Sequence, residues 1–441
     1  MSARPAPLSP PRAWFLVGAL VLGYIGIYLC RKNFSVAVPL IREDFSLSKE
    51  NIGQIASYST LAYMLGKFAF GPLIDRAGGR AAFLASLLAV AVFGGLGGLV
   101  GSFPMLALVY SLNRLAGSAG WGGMVKLVPD WLPPRSLPLA MAVLSLGFVF
   151  GGVCATLLAG QIAEWSGNNW RWVMGGPALV LAAILIGCWL VLPRVAPETA
   201  SDFGALPAGS SAAAAPAVRF EFRHLRDLLF IRRFWILLAL SFVLTLLRET
   251  FNTWTVDFFK TSGGGELSTR IAAFLSTPFD AFGAAGILAL GWAFGRLGAR
   301  GRMRLLVTIL GGLAGLIWVL PELAERNLWL ATAALGGVGF LAYGPYSLLA
   351  GILAVEIRGK AYVGTVAGLV DGVGYLAAIL AGRQFGRILD VGGYGLGFTC
   401  LAALAAVAAV LCLFLYRRGE NPGEIAASDS PPLATGNVAK S

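Results

Sequence analysis

The chain has 441 residues, of which 57% are hydrophobic and only 13% charged, with a mean hydropathy of +0.76 and a formal net charge of +12. A soluble core of that size would leave far more charge for its surface, so lipid is the solvent for most of this chain. The basic excess does not mark a nucleic-acid binder, because it sorts by membrane side once the apolar stretches are laid out.

A hydrocarbon layer about 30 Å thick takes about 20 apolar residues as a helix. Stretches of that length recur at 13–39, 52–74, 80–102, 104–128, 136–163 and 170–193, and again at 233–260, 270–295, 303–321, 328–355, 361–385 and 392–416. Runs such as 81–100 are apolar throughout, whereas the strands of a membrane barrel would alternate. The expected fold is therefore an all-α membrane protein of 12 transmembrane helices.

The first span lacks a small-residue cleavage site and runs straight into Arg31 and Lys32, so it reads as a retained helix. Asn33-Phe34-Ser35 matches a glycosylation acceptor but falls inside that span. The 58 glycines, among them Gly94, Gly95, Gly97 and Gly98, suit helices that approach closely in lipid. Cys30, Cys154, Cys188, Cys400 and Cys412 all lie in spans without metal or redox spacing, so no metal or cofactor is expected. With no nucleotide-phosphate loop and a sole histidine, His224, between spans, enzymatic chemistry is not expected either.

The stretch 195–232 is rich in Ala, Pro, Ser and Gly and then turns basic, dividing the chain into an N-terminal bundle (1–194), a linker (195–232), a C-terminal bundle (233–418) and a polar tail (419–441). Its basic end suits either an amphipathic helix on an anionic leaflet or a solvated segment. Most of the 34 basic residues fall on the side of the termini, which places both ends in the cytosol.

A loop repeats between the two groups of six spans. Gly71 to Arg80, holding Asp75, Arg76 and Arg80, is echoed 220 residues later by Gly291 to Arg300, holding Arg296. Such a loop uses glycines for a tight turn, an acid to pair or cap, and arginines to hold the cytosolic side closed. The pair closely resembles the signature of the major facilitator superfamily, which implies two pseudo-symmetric six-helix bundles with a substrate site near the midplane.

Ionisable residues inside spans mark function or pairing by default. Tyr24, Tyr28 and Arg31 share one face of the first helix, with Lys32 beside them; Lys67 follows on the second, Arg114 on the fourth, and Arg248 with Glu249 on the seventh. Arg31 and Arg248 are 217 residues apart, close to the loop offset, so each half offers one arginine at an equivalent place. Two guanidinium forks match the oxygens of a dianion. The acids Glu249, Asp280, Glu356 and Asp371 are candidate partners, and interhelical ion pairs alone are the competing account of these charges.

The stretch Tyr28-Leu29-Cys30-Arg31-Lys32-Asn33-Phe34 resembles the first-helix phosphate motif of the organophosphate:phosphate antiporters. Further resemblance lies at Gly66-Lys67-Phe68, Gly120-Trp121, Leu247-Arg248 with Trp254, Tyr343-Gly344-Pro345 and Gly364 to Gly368. The resemblance implies that Arg31 and Arg248 grip phosphate while Lys67, Tyr24, Tyr28, Tyr343 and Trp121 shape the pocket. The glycerol-phosphate carriers have a histidine where this chain has Phe148 and a tyrosine where it has Thr245, and Arg114 is an added charge. Asp371-Gly372 is more like the animal sugar-phosphate exchangers.

The expectation is alternating-access exchange of an organic phosphate for inorganic phosphate by a monomer in a bacterial inner membrane. One alternative is a proton-linked symporter of another anion, with Asp371 or Asp280 as proton carrier and Glu249 and Arg114 as further charge partners. The other is a ligand sensor that kept the fold.

Overall fold

The computed structural model describes residues 9–133, 136–193, 230–264, 267–349, 353 and 363–415, and among these every regular element is a helix. The first six long helices are α1 (Pro10–Phe45), α2 (Lys49–Ala77), α3 (Gly79–Gly97), α4 (Phe103–Leu127), α5 (Leu137–Trp165) and α6 (Trp170–Val191). After the 194–229 segment come α7 (Arg232–Ser262), α8 (Thr269–Ser276), α9 (Pro278–Arg296), α10 (Ala299–Arg326), α11 (Leu328–Leu348), α12 (Val363–Leu380) and α13 (Arg383–Leu415). Nearly all of the linker expected at 195–232, together with the tail at 419–441 and Glu356, lies outside the described residues.

Nine helical stretches among the described residues are long and apolar enough to cross a membrane. α2 and α4 are of similar length but less apolar, and α12 and α13 fall within one continuous apolar stretch. This is consistent with twelve spans. Their outer faces carry large exposed apolar side chains such as Leu88, Leu179, Leu190 and Leu288, as lipid contact requires.

Three departures from the expected spans have local causes. α1 has 36 residues, about 54 Å of helix, and so projects beyond the hydrocarbon. The expected eighth span divides at Thr277 because Pro278 has no N–H for the Phe274 carbonyl; the Thr277 backbone N–H (3.1 Å) and hydroxyl (2.8 Å) take that carbonyl instead. The division leaves Asp280 in the first turn of α9, where the helix dipole favours a carboxylate. α13 contains a break at Gly393 (φ 64°), a left-handed position that glycine adopts freely, and the residues from Arg383 up to it are helical rather than loop.

The buried Asn33 also serves a proline. Pro177 in α6 frees the Val173 carbonyl, and the Asn33 amide donates to it (3.1 Å) and to Met174 (3.0 Å), so this residue binds α1 to α6. Of the two repeated loops, only the first needs its glycine conformationally. Gly78 sits at φ 83°, whereas Gly298 is at −73°.

α1 packs with α5 and α6, α3 with α4 and α6, and α2 with α4; α9 packs with α11, α10 with α11 and α13, and α7 with α12 and α13. The two groups meet through α1–α7, α2–α12, α2–α13, α5–α8 and α5–α9. At the end away from the termini the apolar core runs across both groups, uniting Phe34 to Ile41 and Ile52 with Phe251, Trp254 and Phe398. Nearer the termini, α1, α3, α4 and α6 enclose a core of their own around Leu16, Leu20 and Phe83.

The far end is also held by polar contacts between the groups. Asp257 on α7, 1% exposed, accepts from Arg42 (2.7 Å) and the Tyr394 hydroxyl (2.6 Å) and lies 3.5 Å from the Lys49 ammonium. Asp390 accepts the backbone N–H groups of Lys49 (2.9 Å) and Glu50 (2.8 Å), capping α2 from α13. Glu50 pairs with Arg383 at 2.8 Å and Glu164 with Arg270 at 2.6 Å. Gly53 and Gly382 let α2 and α13 touch, since a Cβ on Gly53 would lie 2.4 Å from the Gly382 carbonyl oxygen. The molecule is closed at this end.

Candidate functional site

A cavity of about 70 Å³ lies between the two groups of helices in mid-span, lined by residues of α1, α2, α4, α5, α7, α9 and α11. Its charged lining is Arg31, Lys32, Arg114, Arg248, Glu249 and Asp280, four cations against two carboxylates, an excess of two positive charges. Tyr28, Tyr110, Asn252, Tyr343, Ser59 and Thr60 supply neutral polar groups.

The cations divide into two kinds. Lys32 reaches across from α1 to Asp280 on α9 at 3.0 Å and also donates to the side-chain amide oxygen of Asn252. Asp280 additionally accepts from the Tyr343 hydroxyl at 2.7 Å. Gly152 on α5 makes room for that carboxylate, because a Cβ there would lie 2.9 Å from its oxygen. Arg248 is clipped to its neighbour Glu249 at 2.5 Å, with its guanidinium 4.1 Å from the centre of the Tyr346 ring.

Arg31 and Arg114 have no carboxylate oxygen within 4 Å among the described residues. Arg31 is oriented by the Tyr28 hydroxyl at 3.3 Å, and its backbone carbonyl accepts from Tyr110 at 2.8 Å. Its guanidinium lies 5.0 Å from the Tyr63 ring centre, and that of Arg114 lies 4.9 Å from the same ring. Arg114 is 6% exposed, and its Nε has no hydrogen-bond partner among the described residues. Arginines so placed are prepared to receive an anion.

Not every residue singled out in the sequence reaches this cavity. Arg31, Tyr28, Arg114, Arg248, Glu249, Asp280 and Tyr343 line it, while Tyr24, Lys67, Trp121 and Asp371 do not. Tyr24 packs against Tyr28 and Trp121, with ring centres 5.4 and 5.6 Å away. Lys67 lies 5.7 Å from the centres of both Tyr63 and Tyr375, two rings that touch across the halves, and Asp371 is in electrostatic reach of Lys67 and Arg248. Sequence reasoning passed over Lys32 as a cross-half partner and Tyr110 and Asn252 as lining groups.

At the terminus end, Arg80 donates to the carbonyls of Leu192 (3.0 Å) and Trp189 (3.1 Å), closing the end of α6 within its own half. Arg296 stacks on Trp292 at 4.0 Å, Arg76 is exposed, and the Asp75 side chain lies outside the described residues.

Residues 20–382 match the Major Facilitator Superfamily. The chain belongs to that superfamily. It is a multi-pass membrane protein of a transporter family. The chain is 27% identical to a probable hexose phosphate transport protein of Chlamydia pneumoniae, over 90% of this chain and 89% of that one. It is 28% identical to the membrane sensor protein UhpC of Escherichia coli (91% and 92% covered), and 24% identical to a glycerol-3-phosphate transporter of Bacillus subtilis (91% of each). Among solved structures it resembles a bacterial homologue of the human lysosomal transporter Spinster, in an inward-facing and unoccupied conformation, at a TM-score of 0.73 and 16% identity, covering 96% of this chain and 100% of that one. That likeness shows the major facilitator fold. The resemblance to organophosphate:phosphate antiporters, drawn from the motifs around Arg31, is in keeping with these relatives.

Proposed function

We propose that the chain exchanges an organic phosphate for inorganic phosphate across a bacterial inner membrane by alternating access, as a monomer with both termini in the cytosol. The observation that carries this reading is the mid-span cavity with two uncompensated positive charges, the complement of a phosphate dianion. Arg31 and Arg114 are the anion ligands, Arg248 faces them paired with Glu249, and the closed end is the periplasmic gate. The relatives named for hexose phosphate and glycerol 3-phosphate support the substrate class.

The test is counterflow. Vesicles loaded with unlabelled phosphate should accumulate labelled phosphate through the reconstituted protein and release it to external glycerol 3-phosphate or a hexose phosphate, without a pH gradient. Uptake that required a proton gradient would favour a symporter in which Asp371 or Asp280 carries the proton.

The similarity to a membrane sensor over 91% of the chain supports a second reading, in which the same site reports an organic phosphate to a partner protein. Saturable binding of phosphate esters with no counterflow would select it.

A further inference from the structure

The two walls of the cavity differ in charge. The α1 and α4 side carries Arg31, Lys32 and Arg114 and no carboxylate; the α7 and α9 side carries Arg248 with both carboxylates, Glu249 and Asp280. Pairing deepens the contrast, since Lys32 is engaged by Asp280 and Arg248 by Glu249. Among the described residues, the uncompensated charge therefore belongs to Arg31 and Arg114, on one side. Each guanidinium is within 5.0 Å of the Tyr63 ring centre, so the two are at most twice that distance apart.

We propose that the phosphoryl group docks on the α1/α4 wall at Arg31 and Arg114, with the organic part turned towards Glu249, Asp280 and Asn252. The site then selects polyol phosphates over phosphorylated carboxylic acids. This rests on the phosphate reading above and goes beyond it in orientation and substrate class. Carboxylate oxygens accept hydrogen bonds from hydroxyls, and the Asn252 side chain adds an amide. A second carboxylate, placed against Glu249 and Asp280, meets like charge in a confined space. Arg114 is itself buried, 6% exposed, and among the described residues no carboxylate oxygen comes within 4 Å of its guanidinium.

Titration calorimetry on the purified full-length protein, with inorganic phosphate, glycerol 3-phosphate and 3-phosphoglycerate, tests the proposal. The two esters share a three-carbon skeleton and differ by a hydroxymethyl against a carboxylate. Wild type should bind glycerol 3-phosphate about tenfold more tightly than 3-phosphoglycerate. Glu249→Gln should shrink that ratio. Arg114→Gln should weaken inorganic phosphate by about tenfold or more, the loss expected for a charge-assisted hydrogen bond. Arg114→Lys keeps the charge in the fold and should recover part of that affinity while preserving the preference between esters. Equal affinity for the two esters, a ratio unmoved by Glu249→Gln, or inorganic phosphate affinity unchanged in Arg114→Gln would each overturn the orientation. A wild-type protein that bound none of the three ligands would instead remove the phosphate reading on which it rests.

Discussion

Asp257 gives the sharpest handle on the closed end. It accepts from Arg42 at 2.7 Å and Tyr394 at 2.6 Å, with Lys49 at 3.5 Å, so one buried carboxylate neutralises two cations of the other half. Replacing it by Asn leaves those cations facing a neutral amide. Breaking a buried ion pair costs about 3–5 kcal/mol, and because Arg42 is 29% exposed, water recovers part of the loss, leaving about 2 kcal/mol. That cost falls on the closed arrangement alone, since opening separates Arg42 and Lys49 from α7. At about 1.4 kcal/mol per factor of ten, the ratio of closed to open should fall about thirtyfold. Spin labels at the exposed Glu43 on α1 and Thr261 on α7, in a background lacking the five cysteines, report the separation at this end. Asp257→Asn should add a longer distance population. A lower melting temperature with an unchanged distance distribution would show that Asp257 only stabilises the fold, and the gate assignment would fail.

Arg31→Lys keeps the charge but removes the planar fork, and should lower phosphate counterflow about tenfold or more in vesicles. Gly53→Ala sets a methyl group 2.4 Å from the Gly382 carbonyl oxygen, so it should open the same end on the Glu43–Thr261 ruler, with a penalty of about 1–3 kcal/mol. Gly187→Ala, where nothing lies within 4 Å, should leave both that distance and the melting temperature unchanged or slightly raised. Asp390→Ala removes the cap shared by the Lys49 and Glu50 amides and should cost about 1 kcal/mol, seen as faster hydrogen exchange at the start of α2.

The helices were legible because lipid demands about 20 apolar residues per crossing, a signal carried within each segment. The cavity arginines were legible for the converse reason: Arg31, Arg114 and Arg248 stand out against an apolar background. What the sequence hid is pairing at a distance. Asp257 and Arg42 are 215 residues apart and Lys32 and Asp280 are on separate helices, so no spacing rule links them. Position along a helix was hidden as well. Thr60 lines the cavity, and Lys67, seven residues on, shares its face but sits about 10 Å further along α2. Neutral polar residues such as Tyr110 and Asn252 carry no mark within a span, and their part emerges only from the fold.

The expected symmetry of one arginine per half takes a different form in the structure. Arg31 and Arg248 do face one cavity, but Glu249 already neutralises Arg248, and among the described residues the cation beside Arg31 that lacks a carboxylate is Arg114 from the same half. This asymmetry bears on why the carrier would exchange rather than leak. Lys32–Asp280 and Arg248–Glu249 are balanced pairs that tolerate removal of water, whereas Arg31 and Arg114 are not. Sealing the terminus side over an empty cavity would desolvate two like charges around one aromatic ring, and a bound phosphate dianion offsets that cost. Coupling then resides in the charges that lack a partner, and the paired ones set what may accompany the phosphate.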